Sequence, residues 1–213
     1  MEFERLLELI GDEPVFETSL LLAGKVDPDI VRLQLTRWTK GGRLYQLRRG
    51  LYALAPPYQK VKPHPFLVAN RLQRASYVSG QPALAYYGLI PDTVQVTLSV
   101  TAGRPERRNT PLGVFEFRHL QPHLLRGYRM LPLAGGQQAL VASPEKALLD
   151  LVYLQPGGDT GEYLDELRLQ NLERLDMDVL RRQAEVFGTP KLRRAVNSIV
   201  SLVQREAQEY ESL

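Results

Sequence analysis

The chain has 213 residues, 44% of them hydrophobic, and its 27 Lys and Arg against 24 Asp and Glu leave a net charge of only +3. That is ordinary globular composition, with length for one domain or two small ones. The absence of cysteine excludes disulfides, thiolate metal sites and cysteine nucleophiles.

The amino-terminal MEFERLLELIGDE is acidic and amphipathic, unlike a secretory leader. No apolar run approaches the roughly 20 residues that cross a bilayer, so a cytoplasmic protein without a membrane partner is expected. Phe3, Leu6, Leu7 and Ile10 recur at helical spacing, with Gly11 as a stop. A second short helix is expected over Thr18–Ala23, ended by Gly24. Asp27-Pro28 reads as an N-cap followed by proline at the first helical position, opening a third helix that reaches about Lys40. At about 100° per residue, Val31, Gln34, Leu35 and Trp38 share one side, while Arg32, Thr36, Arg37 and Lys40 fall on or toward the other with Asp29 and Leu33. Arg43–Leu47 and Leu51–Ala55 are strand-like and are joined across Arg48-Arg49-Gly50, where glycine supplies the positive φ of a tight hairpin. Pro56-Pro57 closes this module, and the segment from Lys60 to Pro65 reads as a linker, placing the domain boundary near residue 60.

Beyond the linker, Phe66–Arg74 and Pro82–Tyr87 look helical, with Gly88 as a C-terminal stop. Val94–Val100 alternates as a half-buried strand does; Val114–Arg118, Tyr128–Leu133 and Ala139–Ala142 are shorter strand candidates. Ser143-Pro144 caps a helix through Leu154, and the last helix begins at Thr189-Pro190. The expected fold is therefore α+β: a winged helix-turn-helix over residues 1–60, then a mixed domain over 61–213 with helices around a small, mainly antiparallel sheet.

From Ile30 to Pro91 there is no Asp or Glu, while Arg32, Arg37, Lys40, Arg43, Arg48, Arg49, Lys60, Lys62, Arg71 and Arg74 carry ten positive charges. A one-signed field of this kind attracts polyanions. A basic helix followed at once by a basic hairpin suits a winged-helix DNA-binding module. Arg32, Thr36, Arg37 and Lys40 are expected to face the major groove, and Arg43, Arg48 and Arg49 to serve the wing and the phosphates. A winged helix used for protein contacts, or a merely solvated basic face, is the plainer alternative. Arg104, Arg107 and Arg108 lie in the expected loop AGRPERRNTP, which is either solvated surface or a further phosphate contact. Lys191, Arg193 and Arg194 open the last helix while Glu206, Glu209 and Glu211 lie near its other end, each against the helix dipole. Either packing absorbs that cost or the basic end meets nucleic acid.

Glu145, Lys146 and Asp150 suggest a nuclease-like cluster, but Glu145 suits the first turn of a capped helix and a five-residue spacing converges poorly on a metal. They are the residues on which a rival reading, an enzyme acting on nucleic acid or nucleotides, would depend. His119 and His123 flank Pro122, which breaks any helical register, and no third ligand accompanies them. No catalytic residue, metal or cofactor is assigned.

Two stretches, Ser76–Pro91 (containing Ala83-Leu84-Ala85-Tyr86-Tyr87-Gly88-Leu89) and Ser143–Leu151 (containing Pro144-Glu145-Lys146-Ala147-Leu148-Leu149-Asp150), resemble the AbiEi-type antitoxin and transcriptional-regulator family of type IV toxin–antitoxin systems. The wing, Gly42-Arg43-Leu44 through Gly50-Leu51-Tyr52-Ala53-Leu54, is similar to that family's too. The resemblance covers most of residues 15 to 155. It implies a repressor that binds operator DNA of its own operon and counteracts a nucleotidyltransferase-type toxin, generally without a stable toxin–antitoxin complex.

Overall fold

The computed structural model describes residues 2–23, 26–91 and 94–211, with side chains through residue 204. Gly24 and the side chains of Glu206, Glu209 and Glu211 lie outside the described residues.

Helix α1 (Phe3–Ile10) buries Phe3, Leu6 and Ile10 and ends at Gly11, whose φ is 61°. A two-residue strand β1 (Phe16–Glu17) and a single turn α2 (Thr18–Leu21), shorter than expected, lead to α3 (Pro28–Lys40). The Asp27 carboxylate accepts from the Asp29 amide at 2.9 Å, and Pro28 sits in the first turn, where a missing N–H costs nothing. Strands β2 (Leu44–Arg48) and β3 (Leu51–Leu54) turn across Arg49 and Gly50, the latter at φ 79°. The expected hairpin is thus present, but β1 adds a third antiparallel strand on the far side of β3. Two residues without alternation gave no sign of it.

One face of this sheet closes the amino-terminal core of Phe3, Leu6, Ile10, Phe16, Leu21, Val31, Leu35, Leu44, Tyr52 and Leu54. The other face does not meet water. Val15, Leu47, Leu51 and Ala53 belong to the large core that continues through the rest of the chain. The two cores share β3, which is why all its residues are buried.

The remainder opens with alternating elements and continues as a run of strands and then a run of helices: α4 (Pro65–Leu72), β4 (Ser76–Val78), α5 (Gln81–Tyr86), β5 (Val96–Thr101), β6 (Glu106–Thr110), β7 (Gly113–His119), β8 (Tyr128–Pro132), β9 (Gln138–Ala142), α6 (Pro144–Leu154), α7 (Gly161–Glu166), α8 (Met177–Phe187) and α9 (Pro190–Glu211). The strand order is β6-β7-β5-β4-β9-β8. Pairs β6–β7, β5–β4 and β9–β8 are antiparallel, while β7–β5 and β4–β9 are parallel. Antiparallel pairs predominate, but with six strands the sheet is mixed and larger than the small one expected. The fold is mixed α/β.

Two strand expectations need correction. The alternation in Val94–Val100 suggested a half-buried strand, yet Thr97, Ser99 and Thr101 of β5 are buried along with Val100. β5 lies inside the sheet, so its polar face is covered as well. The segment expected as the loop AGRPERRNTP contains β6. Its charged sequence Glu-Arg-Arg-Asn-Thr suits a sheet edge, where charge discourages pairing with another chain.

Candidate nucleic-acid interface

The exposed side of α3 carries Arg32, Leu33, Thr36, Arg37 and Lys40, opposite the buried Val31 and Leu35. Trp38 is half-buried, with its ring edge-on to Phe3 at 5.4 Å. The basic residues expected to act as one set are not equivalent. Arg32 forms an ion pair with Asp29 at 2.9 Å, and the Thr36 hydroxyl donates to the Arg32 carbonyl at 2.8 Å. Arg37 and Lys40 are exposed and without an ion pair among the described residues. Arg43 lies over the Phe3 ring at 4.9 Å and lines a hollow of about 400 Å³ with Gln34, Arg37 and Trp38. The Gln34 Oε1 there is buried and accepts no hydrogen bond.

At the hairpin the two arginines part company. Arg49 is exposed. Arg48 is held down: its guanidinium donates to the Arg71 carbonyl at 3.2 and 3.3 Å and to Glu17 at 3.5 Å. Of the two arginines expected to serve the phosphates, Arg48 is thus engaged within the chain, because β2 aims its side chain at the end of α4. Glu17 also binds Arg74, and that arginine holds the Glu17 carboxyl below its ordinary range. Lys60 lies 3.5 Å from Asp12. The carboxylate-free stretch is thus partly neutralised by acids that precede it in sequence, which charge counting along the chain could not reveal.

The secondary basic groups are mostly engaged. Arg107 pairs with Glu116 at 3.8 Å and Arg108 with Glu106 at 2.7 Å, leaving Arg104 exposed in the turn. At the start of α9, Lys191 Nζ donates to the carbonyls of Tyr153 (3.2 Å) and Gln155, at the C-terminal end of α6. Arg194 binds Asp159 at 2.7 Å and lowers that carboxyl's pKa. Of this trio Arg193 alone is exposed without an ion pair among the described residues. Of the charges that oppose the dipole of α9, Lys191 completes the carbonyl end of α6, a structural cause for its position that neither sequence reading contained.

The Glu145-Lys146-Asp150 motif is also structural in its surroundings. Asp150 is wholly buried, and its Oδ2 accepts from the hydroxyls of Ser79 (2.7 Å) and Tyr77 (3.1 Å). Its Oδ1 accepts from Lys146 Nζ, which in turn lies 4.5 Å from the centre of the Phe187 ring. Burial pulls the Lys146 pKa down and pushes that of Asp150 up, and each partner's charge offsets the other's shift. Burial and the adjacent Asp150 raise the Tyr77 hydroxyl as well. Glu145, also buried, accepts from the Asp176 amide at 3.1 Å. Neither carboxylate that the metal-dependent reading needs is open to solvent. This joins β4 to α6 across the two stretches, Ser76–Pro91 and Ser143–Leu151, that carry the family resemblance. His119 Nδ1 lies 3.0 Å from the Gly103 carbonyl. Among the described residues no cluster of three potential metal ligands occurs, and no helix is long and apolar enough to cross a membrane.

No protein-family model matches the chain, and no curated protein matches it. Among solved structures, the fold is similar to that of the Rv2827c protein from Mycobacterium tuberculosis, with a TM-score of 0.54 over 92% of this chain and 76% of that one. Sequence identity is 18%, so the likeness establishes a shared fold and nothing beyond it.

Proposed function

We propose that this chain is a sequence-specific DNA-binding repressor whose amino-terminal module works as a winged helix, α3 entering the major groove and the β2–β3 turn following the backbone. The observation that carries this reading is the set of exposed cations Arg37, Lys40 and Arg49, without an ion pair among the described residues, with Arg43 beside them, along one helix and its adjoining hairpin. Such an arrangement pairs base-edge contacts with phosphate contacts. The resemblance to AbiEi-type antitoxins extends the proposal: the operator is that of its own operon, and the protein counteracts a nucleotidyltransferase-type toxin without a stable complex, its mixed domain serving that second task.

The test uses the full chain, because cutting near residue 60 would strip the cover from Val15, Leu47, Leu51 and Ala53. Fluorescence anisotropy is measured on the duplex upstream of its gene and on a shuffled duplex over a range of salt. Three or four phosphate contacts give a log–log slope of about −3 to −4, with the native duplex preferred. Binding indifferent to both sequence and salt overturns the proposal. Co-expression with a neighbouring nucleotidyltransferase reading frame tests the antitoxin part; undiminished toxicity refutes it.

A further inference from the structure

Leu33 occupies the middle of the solvent-facing side of α3 and is 50% exposed; Ile30, one turn earlier, is 53% exposed. With Arg37 they form a stripe at i, i+3 and i+7, the spacing of one helix face. A single exposed aliphatic side chain needs no explanation, but two on successive turns continued by a cation make a defined surface.

The surroundings restrict what can cover it. Arg37 and Lys40 carry the stripe toward the end of the helix, with no partner among the described residues. Asp29, the neighbouring carboxylate, is taken up by Arg32. The Thr36 hydroxyl donates its one hydrogen to the Arg32 carbonyl, leaving its methyl group and the oxygen's lone pairs facing outward. A second copy of this chain, docked face to face, would set the same cations against one another, and like charges across an interface cost affinity. A polyanion bearing apolar groups satisfies both parts of the surface. In the major groove of duplex DNA that apolar group is the thymine C5-methyl.

Resting on the DNA-binding reading above, we infer that Leu33, with Ile30 beside it, reads thymine methyl groups. The operator then carries A·T pairs beneath these side chains, and Arg37 and Lys40 act on the adjoining bases or phosphates. Arg32, on the flank of the helix and held by Asp29, is not the principal reader.

The test begins with duplexes selected from a random pool by the full chain. Each thymine is replaced singly by deoxyuridine, which removes only the C5-methyl and leaves the pairing and hydrogen-bonding edges intact. At one or two positions the wild-type protein binds about three- to five-fold more weakly, the worth of burying one methyl-sized group. Leu33→Ala loses that sensitivity at the same positions while keeping its melting temperature and salt slope. If the wild type shows sequence preference but no deoxyuridine weakens it, or if Leu33→Ala stays equally sensitive, the inference is overturned and DNA binding stands. Failure of the full chain to bind any duplex overturns both.

Discussion

Arg74 donates from one Nη to both carboxylate oxygens of Glu17, at 2.8 and 2.7 Å, tying β1 of the amino-terminal sheet to the segment just after α4. Arg48 reaches the same carboxylate. One acid thus fastens the two parts of the molecule and engages two arginines, Arg48 largely covered and Arg74 still exposed. The pKa of Glu17 is depressed, chiefly by the Arg74 hydrogen bonds. Its stabilising contribution is therefore complete above the ordinary carboxylate value of 4.5 and is lost as pH falls through the lower folded value. Glu17→Gln should lower the melting temperature near neutrality and flatten its decline in that acid range. The same substitution should strengthen duplex binding, since it removes a negative charge and frees Arg48 and Arg74. Thermal melts across pH and anisotropy on one duplex measure both.

Arg48 and Arg49, adjacent in sequence, should separate by experiment. Arg49→Ala should weaken binding to all sequences and flatten the salt slope by about 1, as loss of one phosphate contact does. Arg48→Ala should change the slope little and instead lower stability, because its guanidinium is bonded to the Arg71 carbonyl and to Glu17. Equal slope changes in the two variants would show that Arg48 leaves its partners to bind DNA.

Lys191 gives a test with a sign opposite to the one its own helix suggests. Within α9 alone, replacing a cation in the first turn with an acid is favourable. Here the ammonium serves the carbonyls of Tyr153 and Gln155, the negative end of α6. Lys191→Glu should therefore destabilise the protein by about 1–2 kcal/mol, read from urea unfolding. Arg193→Glu, exposed and unpaired among the described residues, should not.

Lys146→Met should cost about 3–5 kcal/mol, because Asp150 would be left buried without its counter-charge. Asp150 in that variant favours its protonated form, its folded pKa standing above the unfolded one. The loss should therefore shrink as pH falls toward the carboxylate range. Lys146→Met combined with Asp150→Leu should recover much of the stability but not all, since Tyr77 and Ser79 lose their acceptor. Unfolding curves of the three proteins at two pH values decide this. A single variant as stable as the wild type would show that the pair contributes nothing to the core.

What could be read from sequence was what depends on neighbours in the chain. Asp27-Pro28 opening α3, Gly50 turning the hairpin, Ser143-Pro144 opening α6 and Pro190 opening α9 are local solutions to unpaired backbone groups and restricted φ angles, and the structure has each of them. The division of α3 into a buried side with Val31 and Leu35 and an exposed side with Arg37 and Lys40 follows from helical periodicity alone. Which exposed cation stays available is a different kind of fact. Arg48 and Arg49 look alike in sequence, and only the placement of Glu17 and the Arg71 carbonyl tells them apart. Lys191 shows an adverse charge until the end of α6 stands beside it, and Asp150 suggests a nuclease-like cluster until Tyr77 of β4 and Ser79 just after it arrive, 73 and 71 residues away. β1 and the covered polar face of β5 belong with these, since a two-residue strand and an interior position both exist only through their partners. Propensity and periodicity act within a few residues; charge pairing and burial act through space, and only the folded chain sets those distances.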